Sequence, residues 1–503
     1  MRILMGSFTA LVVITVLCGS TTIPAQTYED LENQVQEFTL ENGITFLVVQ
    51  RPEVPVFSFN TYMDVGSSDE VTGITGIAHI LEHMAFKGTP EIGTNDYKKE
   101  KKAMAAEDAA FAALLAERRK GELADPDRLT ELEAAFEAAK DAAREFVIAN
   151  EFGQIIENNG GRGLNASTWV DATNYYYSLP SNRLELWAYL ESNRMARPVL
   201  REFYTEKDGP VTEERRMRTD NNPFGMLMEQ FQNLAFSAHP YHHSTIGYMS
   251  DLNNITRQDC EEFYNTFYVG KNMTVTIVGD VQIDEVQKVA QKYFKDISGA
   301  EPPRVDTYEP EQVGEKRLRI PHTAQPVYML GYHIGDIHDT DYPVYEAIAD
   351  ILGQGRTSRL YKSLVKDKQK AVQAVSFAGF PDNKYPTLLA VLGIPAKDVT
   401  ALEIEELIFT EIDDLKTNGV TQEELNGVKQ RAKADFIRSL RSNQGLARQL
   451  GYYQAKTGDW RNAFRQVELI DAVTVDDIKR VAAEIFTEKN RTVAYIETVE
   501  EDS

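Results

Sequence analysis

Apolar and polar positions alternate in short stretches and recur at helical spacing in longer ones, so strands and helices interleave along the chain. Val56 to Val65 alternates as a half-buried strand and leads into an amphipathic helix around His79. Val327 to Ile334 repeats the pattern and leads into a helix over Val344 to Leu352. A second repeat is sharper. Thr256 to Val275 opens Thr-Arg-Gln-Asp and ends Lys-Asn-Met-Thr-Val, while Thr474 to Val493 opens Thr-Val-Asp-Asp and ends Lys-Asn-Arg-Thr-Val. Between these ends lie helical stripes, Phe263, Tyr264 and Phe267 in one copy and Ile478, Val481, Ala482 and Ile485 in the other. An alternating strand follows each, over Met273 to Val278 and Thr492 to Ile496. The same helix–turn–strand unit therefore closes each half of the chain.

This pattern predicts an α+β protein of two homologous α/β sandwich domains, over residues 26–297 and 317–503. The linker, residues 298–316, holds Pro302, Pro303, Pro310 and Gly314 among charges. Residues 96 to 150 depart from the pattern. They are rich in Ala, Glu and Lys, and Gly121 and Pro126 interrupt them. Asp125 before Pro126 reads as an N-cap with proline at the first helical position. We expect an inserted hairpin of two antiparallel helices, a spacer or docking arm without chemistry of its own.

A chain of 503 residues is too long for one core, which agrees with two domains. With 53 basic and 77 acidic residues its net charge is −24. That disfavours nucleic acid, whose phosphates need clustered Lys and Arg, and suits basic polypeptides. Residues 1–25 read as a secretory signal: Arg2, an apolar run from Phe8 to Cys18, then Ile23-Pro24-Ala25 before the expected cleavage. The expected location is the periplasm. Lipid attachment at Cys18 is the second choice, because Leu17 occupies a position that needs a small residue. No later stretch has the length of a membrane helix. Removal of the signal leaves Cys260 alone, expected to be structural.

The chemistry concentrates in His79-Ile80-Leu81-Glu82-His83. Residues four apart on a helix lie about 40° apart on one face, so both imidazoles can reach one metal ion. Zinc takes such nitrogen ligands and keeps a position for water. Glu82, one turn after His79, can reach that water as a proton acceptor instead of binding the metal.

Gly76-Ile77-Ala78-His79-Ile80-Leu81-Glu82-His83-Met84-Ala85-Phe86-Lys87-Gly88-Thr89 resembles the signature of the pitrilysin/insulinase/mitochondrial-processing-peptidase family. The resemblance implies a zinc metalloendopeptidase with Zn²⁺ on His79, His83 and a later Glu, and Glu82 as the base. In that family the third ligand follows another Glu by seven residues. Glu206 and Glu213 have this spacing, which implies Glu213 as ligand and Glu206 as its supporting carboxylate, with Glu214 as the alternative ligand. Gly209-Pro210 between them departs from the pattern and weakens the role of Glu206, since Pro210 can start the helix that bears Glu213. The long gap from His83 to Glu213 matches the inserted hairpin. The segment Gly160 to Thr168 resembles the family's edge strand, implying that Asn165 and Ala166 pair with a peptide substrate.

Such peptidases enclose substrate within four homologous domains, so two imply a homodimer or a heterodimer with a related zinc-free subunit. They also grip substrate with an Arg and a Tyr; Arg448 and Tyr452 lie in a suitable region but match the pattern poorly. His239, His242 and His243 lack helical registration and read as a structural loop. Gly353 to Arg359 lacks the Gly-Lys-Ser/Thr ending of a phosphate loop and reads as a helix-end turn. Two rival readings remain: a scaffold or substrate-binding subunit that has lost turnover, and a zinc-storage protein using the histidine loop.

Overall fold

The computed structural model describes residues 31–500. Residues 1–25, expected from the sequence to be a signal, lie outside them with Cys18. The protein is a mixed α/β structure of two sheets, each packed against helices. The first sheet has strands β1 (Val35–Thr39), β2 (Thr45–Gln50), β3 (Val56–Met63), β4 (Arg162–Thr168), β5 (Thr173–Pro180) and β6 (Met273–Gly279), in the order β1-β2-β6-β3-β5-β4. The second has β7 (Lys316–His322), β8 (Val327–Ile334), β9 (Ala371–Phe380), β10 (Thr387–Pro395) and β11 (Arg491–Thr498), in the order β7-β11-β8-β10-β9. Apart from β1 the two orders correspond strand for strand. In each sheet the closing strand runs parallel to one neighbour and antiparallel to the other: β6 to β2 and β3, β11 to β7 and β8.

The helices that bear on function are α1 (Ile77–Met84), α2 (Tyr97–Arg118), α3 (Pro126–Arg144), α4 (residues 203–220), α5 (Pro223–Ala235), α6 (Arg257–Phe267), α7 (Tyr342–Gly353), α8 (Gln422–Ser439), α9 (Asn443–Thr457) and α10 (Val475–Ile485). The repeated units are α6–β6 and α10–β11. Each helix opens with a reciprocal capping box, Thr256 with Asp259 and Thr474 with Asp477. Two orphan N–H groups are thereby satisfied at each start, which is why the same Thr-x-x-Asp recurs.

The two halves exchange cover. Strands β3 and β6 are buried on both faces, because α9 from the second half lies across the side away from the first core. Leu47, Val49 and Val278 meet Leu446, Leu450 and Phe464 there. Helix α5 of the first half in turn packs Leu227, Phe231 and Ala235 on Val327, Met329 and Ile496 of the second sheet. Gly331 in β8 makes room for this: a Cβ there would come within 2.7 Å of the Phe231 ring. Each exchange buries several large side chains, roughly 1.5–3 kcal/mol apiece.

Helices α2 and α3 form a hairpin joined through Gly121–Leu123, with the Asp125 carboxylate capping α3 as the Asp-Pro pair predicts. Two buried arginines root it. Arg201 Nε lies 2.8 Å from Glu100, and Arg257 reaches Glu107 and, at 2.7 Å, Asp108. Arg201 also donates to the carbonyls of Lys87, Thr89 and Ile92, tying the loop after α1 to the hairpin. Residues 298–315 contain no helix or strand, but they are pinned: Glu309 accepts from the backbone N–H groups of Ser237, Ala238 and His239. Among the described residues no helix is long and apolar enough to cross a membrane.

Candidate metal centre

Helix α1 buries Ile77, Ala78, Ile80, Leu81 and Met84 in the first core, which turns His79, Glu82 and His83 towards a cleft beside β4. Its N-terminus is held from a distance. The buried Glu70 carboxyl group accepts from the N–H of Gly76 at 2.8 Å and of Ala78 at 2.9 Å, capping two otherwise orphaned donors. Gly76 has φ 92°, and a Cβ there would sit 2.7 Å from the Ile246 carbonyl oxygen, so only glycine fits this entry.

The opposing wall is α4, and here the structure corrects the sequence reading. Glu214, not Glu213, faces the imidazoles. Its Oε2 lies 3.6 Å from His79 Nε2 and 3.7 Å from His83 Nε2. Glu213 is exposed on the other side and pairs with Arg216. The cause is backbone geometry. Residues 203–220 run on as helix through Pro210, with π-helical turns at Lys207–Val211 and Arg216–Asp220. A π-turn takes in one extra residue. Eight positions therefore do here what seven do in a regular helix, and Glu206 and Glu214 share a face. Pro210 does not start the helix; it lies inside the π-turn, where its missing N–H is accommodated.

Glu206 stands behind His83, its Oε1 3.0 Å from Nδ1, while its Oε2 is 2.7 Å from Lys87 Nζ. Burial pushes against the Glu206 carboxylate, but the bonds to His83 and Lys87 prevail and hold it down at about 2. Burial opposes charge on His83 too; its bonds to Glu206 and Glu214 raise it to about 9. Burial, aided by the neighbouring His83, lowers His79. Burial raises Glu82, and the hydroxyl and N–H of Thr168 on β4 hold it partly back. A carboxylate lifted towards neutrality suits proton transfer.

These residues fit a zinc ion. Tetrahedral ligands at zinc distances stand about 3.3 Å apart, close to the 3.6 and 3.7 Å separations here. His83 commits Nδ1 to Glu206 and so presents Nε2 to the centre. Among the described residues, His79, His83 and Glu214 are the one group of three donors close enough to hold a metal.

Asn165 and Ala166 lie on β4, the outer strand of its sheet, which pairs with β5 alone. Asn165 is exposed and donates to the Tyr176 hydroxyl at 3.2 Å. One cavity of about 530 Å³ is lined by His79, Glu82, His83, Asn165 and Glu214, among others. Of the remaining sequence features, His239 is buried and accepts from the Tyr241 N–H, with burial lowering it to about 4. Gly353 packs on the backbone of β9, and Arg359 is bonded to Glu424 and Asp414. Tyr452 donates to Asn383 at 2.8 Å, Arg448 is exposed, and Cys260 is buried. Sequence reasoning missed Glu70, Thr168, Lys87 and Arg218. Lys87 and Arg218 carry a local signal, four residues after His83 and Glu214. Glu70 carries none, since only the tertiary fold brings it to α1.

Residues 45–115 match the model of the insulinase family, peptidase family M16, and residues 254–432 match the M16 inactive-domain model. His79, Glu82 and His83 fall in the first match, and no donor of the centre falls in the second. The chain is 29% identical over 494 residues to zinc protease PqqE of Helicobacter pylori, covering 96% of each. It is 24% identical to a mitochondrial-processing peptidase subunit beta of Lentinula edodes, over 91% of this chain and 88% of that one. The crystal structure of a Helicobacter pylori protease superposes with a TM-score of 0.76 at 28% identity, covering 92% of this chain and 99% of that one. An M16 inactive-domain structure from Pseudomonas fluorescens shares the fold, with a TM-score of 0.73 at 16% identity.

Proposed function

The chain belongs to the pitrilysin/insulinase-like family of peptidases, and from that premise we propose that it is a zinc-dependent endopeptidase acting on peptides or unfolded segments of exported polypeptides. The observation that carries this is the convergence of His79, His83 and Glu214, with Glu82 beside them at the edge strand. When bound, zinc supplies Lewis acidity to a peptide carbonyl and to the attacking water. Glu82 accepts the proton of that water and delivers it to the leaving amine nitrogen. Strand β4, through Asn165 and Ala166, pairs with the substrate backbone and sets the scissile bond against Glu82, which makes binding tolerant of sequence. Glu206 holds the His83 ring, and Lys87 holds Glu206.

The reading places the protein in the periplasm, exported by the segment 1–25. It also pairs the two domains, residues 26–297 and 317–503 about the linker 298–316, with a second chain, either its own copy or a zinc-free relative. The intact donor set argues against the scaffold reading. Against zinc storage stands the histidine loop: His239 and His243 are buried, and among the described residues neither belongs to a group of three donors close enough to hold a metal. The test is zinc content and hydrolysis of a quenched peptide mixture, for wild type and Glu82→Gln. We expect the variant to keep about one zinc and lose cleavage by roughly 10²–10⁴-fold. A wild type that binds no zinc, or a variant that cleaves normally, would overturn the reading.

A further inference from the structure

The cavity at the metal centre extends past the catalytic groups to a wall that the second half of the chain helps to build. Trp169 follows directly on β4 and is 53% exposed. Its Nε1 donates to the Pro381 carbonyl at 2.7 Å, and its backbone N–H to Ala172 at 2.8 Å. Asp171 in the same turn is buried and accepts from Ser68 at 3.1 Å and from the Tyr241 hydroxyl at 2.5 Å. The loop bearing Pro381 is fixed in turn by Lys384, whose Nζ lies 2.8 Å from Asp64. Val170, Met228, Ile246, Phe380 and Pro381 line the cavity beside the indole, and Arg218, Gln232, Ser244 and Thr245 line the rest. The carboxylates of this wall are engaged: Glu229 with Arg215 at 3.0 Å, and Glu214 with Arg218 at 2.9 Å.

We propose that this wall is a subsite for one large apolar side chain of the substrate, and that Trp169 determines that specificity. The proposal rests on the peptidase reading and names what its groove selects. A peptide added along β4 runs past Glu82 to Trp169, and its side chains alternate between the two faces. A second cavity of about 420 Å³, lined by Lys87, Ile148 and Glu202, shares Glu82, His83 and Asn165 with the first. The two cavities thus meet at the catalytic groups and differ beyond them, one leading to Trp169, Met228 and Pro381 and the other to Lys87 and Glu202. An aromatic or branched aliphatic side chain covers the exposed indole, whereas a charged one set against the indole, Met228 and Pro381 loses water without gaining a partner from them.

The test uses the zinc-loaded Glu82→Gln protein, which holds peptides without cutting them. Decapeptides of Ser, Ala and Gly, carrying one Phe at each position in turn, compete with a labelled peptide in fluorescence polarisation. One position is expected to bind about tenfold more tightly with Phe than with Ser. That advantage should fall close to unity in Glu82→Gln/Trp169→Ala and persist in Glu82→Gln/Trp169→Phe, which keeps an apolar ring. No Phe advantage at any position, or one unchanged by Trp169→Ala, overturns the proposal. Wild-type cleavage of the same set separates the two claims. Preferential binding without cleavage sinks the peptidase reading alone, and cleavage without an apolar preference sinks this inference alone.

Discussion

Helices α1 and α7 occupy matching places in the two halves, each following a central strand, β3 or β8, and each packed against a later helix, α4 or α8. Between α1 and α4 lie His79, His83, Glu206 and Glu214. Between α7 and α8 lies an ion pair, Asp350 with Arg431, whose Nε is 3.0 and 3.1 Å from the two carboxylate oxygens. The second arrangement is closed, because each charge is satisfied by the other. The first is open: outer atoms are committed to supporting partners, and inner atoms converge on one point. Burial alone does not produce such a site. Glu346 on α7 is raised by burial to about 7, yet its cavity presents no imidazole.

The comparison can be broken first at the support. Glu206→Gln should weaken zinc binding or cleavage by about 10- to 100-fold, the usual cost of losing an outer partner of a ligand. In the metal-free protein, the His83 titration followed by NMR should drop from about 9, since burial then acts with less opposition.

The next effect is smaller and belongs to the second half. Glu346 titrates at about 7 when folded, against 4.5 ordinarily. Between these values the folded chain holds a proton that the unfolded chain has released. Its contribution to stability is therefore complete below about pH 4.5 and is lost as pH rises through about 7. Denaturant melts from pH 5 to 8 should show wild type losing roughly 1–2 kcal/mol relative to Glu346→Gln, a figure reduced for water in the cavity. The smallest effect is expected from Asp350→Asn. That pair is partly exposed, so its loss should cost at most about 1 kcal/mol and leave cleavage unchanged. Loss of activity there would mean that the second half takes part in the chemistry.

Much of this contrast was legible in the residues. The α1 motif could be read because four-residue spacing and an apolar stripe both survive in the sequence, and the repeat because Thr-x-x-Asp caps carry a fixed local geometry. The third carboxylate was misread because helical spacing assumes a uniform helix, and the π-turn at Lys207–Val211 in α4 shifts the register by a residue. Gly209-Pro210 was the visible trace of that shift, taken as a helix start. The exchange of α5 and α9 between the halves left no local signal, because amphipathic helices do not name the sheet they cover. The same holds for Glu70 and for the wall that Pro381 lends to Trp169.

The most direct test of the account sets two adjacent residues against each other. Zinc affinity and peptide cleavage are measured side by side for Glu213→Gln and Glu214→Gln. The account predicts that Glu213→Gln, which loses only an exposed partner of Arg216, keeps both near wild type. Glu214→Gln should lose zinc by more than the 10–100-fold expected of an outer-partner change, and cleavage with it. Loss on Glu213→Gln with retention on Glu214→Gln would contradict the register of α4 and the metal centre built on it.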